Sequence, residues 1–497
     1  MISDRLKARH CQNCVSVVTI NNIFLNKGSK TMTKLPQGPK SPKFLQQLHS
    51  LADPIGYMET AARQPYRDIF PADCVGLTLA HGLGESPLFV SHPQALQQIF
   101  TDRKRFTAPG DLNTITRPFF GDTGLTTVSG RRHQRMRRMV MPPFHGARMR
   151  FYGKLICNHA SLAMDELTIG QGFTAGSAMQ DISREVILEA VFGIEKEERV
   201  ETLKQALKNI SEMFNSPLNA LSIILPIMQK DLGPLSPWGY FCRQMQQVDE
   251  IIYSEIRERR SSPDPSRTDI LSLLIAARDE EGKPLSDVEL RDQLRTLVSA
   301  GQDTTATAMA WALYWIHHLP EVTEKLLAEL DTLEEDPEPT SIVKLPYLTA
   351  VCNETLRMCP SLITLFARIV QEPVELLGYC LPPGKVLIPC VYITHQREDL
   401  YPEPKQFKPE RFLERKYSSY EFLPFGGGTR MCIGDAFAIY EMKLVLATIL
   451  SKYKLELADR RPVKPKVRGI TLLPTGGVKM IMKGQRSCQA KPLAATL

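Results

Sequence analysis

The stretch Phe425-Gly426-Gly427-Gly428-Thr429-Arg430-Met431-Cys432-Ile433-Gly434 gathers unusual chemistry in a short span. A glycine-rich loop delivers one cysteine, and an apolar helix is expected directly behind it. The N-terminus of a helix carries partial positive charge, which stabilises a thiolate. Glycines let the backbone turn tightly and aim N–H groups at the sulfur. Two other uses fit less well. A phosphate loop of the usual kind ends in Lys-Ser or Lys-Thr, which is absent here. No second Cys or His stands nearby to complete a zinc site. A lone axial thiolate fits better, and thiolate is the haem ligand that favours O–O cleavage.

Three further groups stand out. Ala300-Gly301-Gln302-Asp303-Thr304-Thr305 lies inside a long run that is apolar nearly all round. A glycine, an acid and two hydroxyls suit the centre of a buried helix poorly. A helix–helix contact with satisfied polar groups is the plain alternative to chemistry. Glu354 and Arg357 are three apart, hence on one helix face, where an exposed pair contributes little. Gly130 to Val140, GRRHQRMRRMV, reads as a basic helix stopped by Pro142-Pro143. His133 and Arg137 share one face of it, and Arg131, Arg135 and Arg138 lie opposite. A solvated charged face or a nucleic-acid patch would be the ordinary reading. Cys11-x-x-Cys14 after His10 lacks the second pair that zinc requires, and it is read as incidental.

The elements that must position these groups follow from composition and pattern. The chain has 497 residues, 43% hydrophobic and 23% charged, which is globular and excludes wholesale disorder. Lys and Arg (61) exceed Asp and Glu (54) by seven, a mild excess that does not by itself argue for nucleic acid. Eleven cysteines without a repeating spacing point to a reduced compartment rather than a disulfide scaffold. No stretch reaches the ~20 apolar residues of a membrane-spanning helix. Val15 to Leu25 is short, broken by Thr19, Asn21 and Asn22, and lacks a clear cleavage site. Met32 opens MTKLPQGPKSP, which reads as a start followed by a Pro-rich lead-in, so residues 1–31 are set aside from the fold.

Residues 75–92 read as two short strands, VGLTLAHG and SPLFVSH, with a helix from Pro93. From 131 to 335 the periodicity is mostly helical. The longest helix is expected over 286–318, opened by a Ser286/Glu289 capping box and ended before Pro320. At ~1.5 Å per residue it spans about 50 Å and must cross the whole body. Strand-like runs return at 361–395 in LITLFARIV, PVELLGY and KVLIPCVYITH. A final helix covers 434–453, and short strands close the chain at 468–482. His317, His318 and His395 read as helix-end and packing residues. The early strand pair and the later strands should share one small sheet beside a large helical body. The expectation is a mostly α (α+β) fold: an extension over 1–35, one domain over 36–484 and a tail over 485–497.

The motifs resemble one known family. Phe-x-x-Gly-x-Arg-x-Cys-x-Gly is the haem-binding signature of the cytochrome P450 monooxygenases, matched by Phe425, Gly428, Arg430, Cys432 and Gly434. Glu354-Thr355-Leu356-Arg357 matches its Glu-x-x-Arg helix, and Pro409-Glu410-Arg411-Phe412 its Pro-Glu-Arg-Phe segment. Ala300 to Thr305 matches its Ala-Gly-x-Asp-Thr-Thr pattern. All four occur in the family's order, and the resemblance covers about residues 36–484. It implies haem b ligated by Cys432, with Phe425 in the signature loop. It implies that Arg411 joins a buried Glu354–Arg357 pair to brace that loop. His133 stands where the family usually has Trp, so His133 and Arg137 are expected at a haem propionate, with Arg368 and Arg430. Asp303 and Thr304 are expected to relay protons for O₂ activation, with Gly301 leaving room for dioxygen. That acid–alcohol pair favours a monooxygenase over a haem-thiolate isomerase or dehydratase, or a non-catalytic haem protein.

The implied substrate pocket includes Ile115, Phe119, Val298, Ala300, Leu365 and Leu472, so the substrate should be hydrophobic: a fatty acid, alkane or terpenoid. Arg117 is the one charged group that stands out there. The outer stripe Arg131, Arg135 and Arg138 suits an acidic electron donor such as a ferredoxin. NAD(P)H would act only indirectly, because no residues remain for a flavin or iron–sulfur domain. The short Pro-rich lead resembles soluble bacterial members, which implies a cytoplasmic protein with at most peripheral membrane contact and no nucleic-acid partner.

Overall fold

The computed structural model describes residues 35–63, 67–71, 86–194, 196–225, 228–233, 236–468 and 471–486. The Cys11–Cys14 pair, the strand expected over 75–82 and Ile470 lie outside the described residues. The helical body comprises α1 (Lys43–Ala52), α2 (Pro93–Thr101), α3 (Gly130–Val140), α4 (Met149–Asp165), α5 (Ala175–Phe192) and α6 (Glu197–Met213). It continues with α7 (Pro237–Ser261), α8 (Asp287–His318), α9 (Pro346–Met358), α10 (Val391–His395) and α11 (Asp435–Lys452).

Helix α8 is the axis of the fold. Its capping box forms in both directions: the Glu289 N–H donates to Ser286 Oγ (3.2 Å), and the Ser286 N–H donates to Glu289 Oε2 (3.0 Å). These bonds satisfy orphan donors of the first turn and fix where the helix begins. Beyond Thr305 the helix is buried on every side through Tyr314, as its apolar sequence requires. It packs along α5, and Gly301 is part of that contact. A Cβ on Gly301 would meet Ile187 Cδ1 of α5 at 3.0 Å. The glycine therefore admits a neighbouring helix rather than dioxygen, which corrects the expected role.

The main sheet has five strands in the order β1 (Ile69–Pro71), β2 (Leu88–Val90), β8 (Val386–Pro389), β5 (Arg368–Val370) and β3 (Phe106–Thr107). Strand β2 pairs with β8 in parallel, and the other pairings are antiparallel. Early and late strands thus share a sheet, as expected, although the terminal strands do not join it. Strands β4 (Gly172–Thr174), β12 (Lys479–Gln485) and β9 (Tyr453–Leu457) form a second sheet. Strands β6 (Val374–Leu376) with β7 (Tyr379–Leu381), and β10 (Pro465–Arg468) with β11 (Thr471–Pro474), are two-stranded.

The run KVLIPCVYITH does not stay extended. Its ladder ends where the Cys390 N–H donates to the Val90 carbonyl (2.8 Å), because β2 stops at Val90. Thr394 Oγ1 then donates back to the Cys390 carbonyl (2.7 Å), and VYITH closes into α10. Loss of the strand partner overrides the β propensity of the branched residues.

Candidate active site

Cys432 lies between a tight loop and the start of α11. Its N–H donates to the Phe425 carbonyl (2.9 Å), folding the loop back on itself. Gly426 and Gly428 adopt φ of +75° and +66°, the left-handed region that favours glycine. A Cβ on Gly428 would stand 2.8 Å from the Phe100 carbonyl, and one on Gly427 would stand 2.6 Å from the Phe100 ring. Gly427 and Gly428 therefore let Phe100 of α2 pack closely against the loop. Solvent reaches the Cys432 side chain, yet protein surrounds it closely. Burial pushes its thiol up to about 11, against the pull of the Gly434 N–H and of Arg137. The helix terminus expected to favour a thiolate is thus outweighed by desolvation. The protein alone holds a thiol, and a metal cation is what would deprotonate it.

Four basic residues converge near this loop. Arg430 donates to the carbonyls of Ala108 (2.9 Å), Leu125 (2.7 Å) and Val128 (2.7 Å). Arg368 donates to the Phe366 (2.6 Å) and Gly427 (3.2 Å) carbonyls and lies over the Phe100 ring at 5.3 Å. Arg137 donates to the Met431 carbonyl (2.5 Å), beside the cysteine. None of the three pairs with a carboxylate among the described residues. Burial and mutual repulsion push Arg368 and Arg430 down to about 10. His133 is driven down to about 3, first by burial and then by Arg430, Arg137 and Arg368. Buried cations without a counter-charge are costly. A ligand bearing carboxylates beside a thiolate-bound metal would neutralise them, and haem with its two propionates is such a ligand.

Behind the loop, Glu354, Arg357 and Arg411 form one buried cluster. Arg357 Nε and Nη2 donate to the two Glu354 oxygens (2.7 and 2.8 Å), and Arg411 Nε donates to Oε1 (3.1 Å). The Lys408 N–H adds a fourth bond (2.8 Å). Arg357 also donates to the His395 carbonyl (2.8 Å) and lies 5.1 Å from the Tyr401 ring centroid. The His395 ring accepts the Leu423 N–H at Nε2 (3.0 Å) and stacks on Phe422. The brace thus reaches the cysteine loop through His395. Burial holds His395 neutral, down to about 3, so the acceptor nitrogen stays available.

On α8, Thr304 Oγ1 donates to the Ala300 carbonyl (2.7 Å), and the Thr304 carbonyl accepts from Ser361 Oγ (2.8 Å). Ala300 is exposed midway along a helix most of whose residues are buried. Asp303 turns toward α5, where Gln180 Nε2 donates to Oδ1 (3.4 Å). Burial raises its pKa, while Arg468 and Arg184 pull it back.

A cytochrome P450 family profile matches residues 75–482. Cytochrome P450 135B1 of Mycobacterium tuberculosis is 30% identical over 458 residues, covering 92% of this chain and 93% of that protein. Cytochrome P450 137 of the same organism is 28% identical over 452 residues, covering 91% and 92%.

The chain belongs to the cytochrome P450 family.

The cytochrome P450DA heme domain has the same fold, with a TM-score of 0.76 at 25% identity over 91% of this chain and 97% of that one. Retinoic acid-bound cyanobacterial CYP120A1 also gives 0.76, at 23% identity over 90% and 98%. Membership makes this P450 an oxidoreductase of the monooxygenase type. Its cofactor is haem b (iron protoporphyrin IX), reduced by NAD(P)H through redox partners. No helix among the described residues is long and apolar enough to cross a membrane.

The expected pocket residues do not all meet. Phe119 and Val298 border a small apolar cavity with Leu203, Leu207 and Met245, which holds little more than one water (about 20 Å³). Phe119 packs edge-on against Phe241, with ring centroids 4.9 Å apart. Ala300 lies on the Thr304 side of α8 instead. Leu365 is half-buried and would stand 3.3 Å from a Cβ on Gly426, so it borders the cysteine loop. Leu472 is a correction. Its side chain is fully buried in the core, because alternation along β11 turns Leu473 outward instead. The Ile115 side chain lies outside the described residues. Arg117 is ion-paired with Asp111 (3.3 Å), so it is no free anchor.

The outer stripe of α3 is a second correction. Arg135 pairs with Asp279 (2.5 Å) and Glu289 (3.1 Å), and Arg138 pairs with Glu280. Arg138 is tied to the segment before α8, and Arg135 to that segment and to the first turn of α8. Arg131 and Arg132 stay exposed and pair with no described acid. Two buried groups were not anticipated from the sequence. One is the bridging role of His395. The other is Glu441 on α11, pushed up to about 8 by burial and eased only by the Ser183 hydroxyl. A single Glu in the apolar run of residues 436–450 was the available signal.

Proposed function

We propose that this P450 hydroxylates a hydrophobic substrate in the cytoplasm, using O₂ and electrons from a separate acidic ferredoxin. The observation that carries the reading is the Cys432 thiol beside one buried arginine, Arg368, and two half-buried ones, Arg137 and Arg430, none with a carboxylate partner among the described residues. Cys432 would hold the haem iron. Arg368, Arg430, Arg137 and the neutral His133 would hold its propionates, with Phe425 anchoring the loop backbone. When bound, haem supplies the redox chemistry that activates O₂.

The chain's own residues would do the rest. Thr304 carries a hydroxyl beside exposed Ala300, one step along α8 from Asp303. Its Oγ is positioned to pass a proton into an apolar site, and Asp303, with its raised pKa, is suited to resupply it. The Glu354–Arg357–Arg411 brace keeps the cysteine loop in register. Ala300 on the Thr304 side of α8 and Leu365 beside the cysteine loop give the surroundings an apolar character, which suits a fatty acid, alkane or terpenoid. Exposed Arg131 and Arg132 offer the cations that an acidic donor would meet.

The test is turnover of the haem-loaded enzyme with ferredoxin, its reductase and NAD(P)H. The substrate would be a compound chosen because it shifts the Soret band. Oxygenated product that depends on both O₂ and reductant is expected. Product formed without reductant would instead assign an isomerase or dehydratase.

A further inference from the structure

The positive charge of this chain is concentrated at one end. Residues 1–52 contain eight Lys and Arg against the single acid Asp4, which equals the whole chain's excess of +7. Every other Lys and Arg is matched in number by an Asp or Glu. Residues 32–52 alone carry Lys34, Lys40 and Lys43 with no acid. This basic segment runs directly into α1.

Helix α1 is built inside out. Its buried residues are Gln46 and Ser50. Gln46 Nε2 donates to the Ser41 carbonyl (2.8 Å), and its Oε1 accepts from Tyr57 Oη (2.8 Å), which fixes the polar face against the protein. The apolar residues point the other way. Phe44 is 60% exposed, Leu45 47%, Leu48 59% and Leu51 61%. Spaced at 0, 1, 4 and 7, they form one stripe along a helix about 15 Å long. A contiguous apolar face of this kind marks an interaction surface.

We propose that α1 is an interfacial helix whose Phe44–Leu45–Leu48–Leu51 face inserts into an anionic lipid surface, with the neighbouring lysines on the headgroups. Charge decides between possible occupants. A second copy would bring the same acid-poor, basic segment against itself and be repelled. A surface of anionic lipids gains both from burying the stripe and from the cations beside it. The inference stands independently of the proposed substrate.

The test is sedimentation of the haem-loaded full chain with vesicles. One set is phosphatidylcholine alone, and the other is phosphatidylcholine mixed with phosphatidylglycerol. Binding to the mixed vesicles alone, weakening as salt rises, is expected. Leu48→Glu/Leu51→Glu should reduce it at least about tenfold with an unchanged ferrous–CO spectrum, since two apolar side chains leave the interface. Lys40→Glu/Lys43→Glu leaves the stripe intact and should also weaken binding. That pair serves if the first variant folds poorly. Failure of the unaltered chain to bind mixed vesicles would overturn the proposal. So would full binding by Leu48→Glu/Leu51→Glu, or a dimer of the unaltered chain that this variant abolishes.

Discussion

Glu441 makes the stability of this P450 depend on pH in a direction that can be worked out. It lies on α11 and is 1% exposed. Its Oε1 has no hydrogen-bond partner among the described residues. Burial pushes its carboxyl from an ordinary 4.5 up to about 8. Below about pH 4.5 the group is protonated in both folded and unfolded chains, and folding gains the most. As pH rises the unfolded chain ionises first. Stability then falls by about 1.4 kcal/mol per pH unit until the folded carboxyl ionises near 8. The loss approaches about 5 kcal/mol in all, as an order of magnitude.

Glu441→Gln keeps the shape and never ionises, so it should lack this slope. At ~2.1 cal/mol/K per residue, a domain of about 450 residues moves by about 1 °C per kcal/mol. Between about pH 5 and pH 8 the melting temperature of the unaltered holoenzyme should therefore drop by roughly 4 °C relative to the variant. Circular dichroism melts at one scan rate, at several pH values, make the comparison, and the other titrating groups cancel between the two proteins. Parallel pH profiles would refute the reasoning. They would mean that Glu441 is ionised against a counter-charge, or solvated.

Three further outcomes are expected. His395→Phe preserves ring packing but strands the buried Leu423 N–H, at a cost of about 1–3 kcal/mol, and should speed haem loss; His395→Gln, which retains an acceptor, should restore much of it. Equal haem loss in both variants would make the ring's packing, not its acceptor, the important feature. Thr304→Ala should bind haem and substrate normally while diverting reductant to hydrogen peroxide, and an unchanged ratio of product to reductant would remove Thr304 from proton delivery. Arg131→Glu/Arg132→Glu should slow reduction by ferredoxin roughly 2–30-fold at low salt, from two surface contacts of about 0.2–1 kcal/mol each, without altering the CO spectrum. Normal kinetics in that variant would move the docking site elsewhere.

What the sequence revealed and what it hid divide along physical lines. The cysteine loop was legible because its chemistry is local. Glycines, the start of an apolar helix and a thiol within one short stretch leave few alternatives. The Ser286 capping box and the long central helix were legible for the same reason. Helical phase correctly placed Arg131, Arg135 and Arg138 opposite His133, but phase does not say what meets the far face. The acids that claim Arg135 and Arg138 lie 144, 154 and 142 residues away. Gly301 carried the same ambiguity, because an absent side chain can make room on either side of a helix. The bridge from His395 ends on a backbone N–H, which leaves no trace in residue types. At Cys432 the helix terminus suggested a lowered pKa, and desolvation outweighed it. Burial is a property of the assembled fold, and a local motif does not report it.

The central claim is that Cys432 supplies the axial thiolate to haem b. The ferrous–CO spectrum tests it most directly. The unaltered protein should show the strongly red-shifted Soret band of a thiolate-ligated haem. Cys432→Ser and Cys432→His should each lose that band, even where haem is retained. A red-shifted band that persists in either variant would place the ligand on another residue and contradict the account.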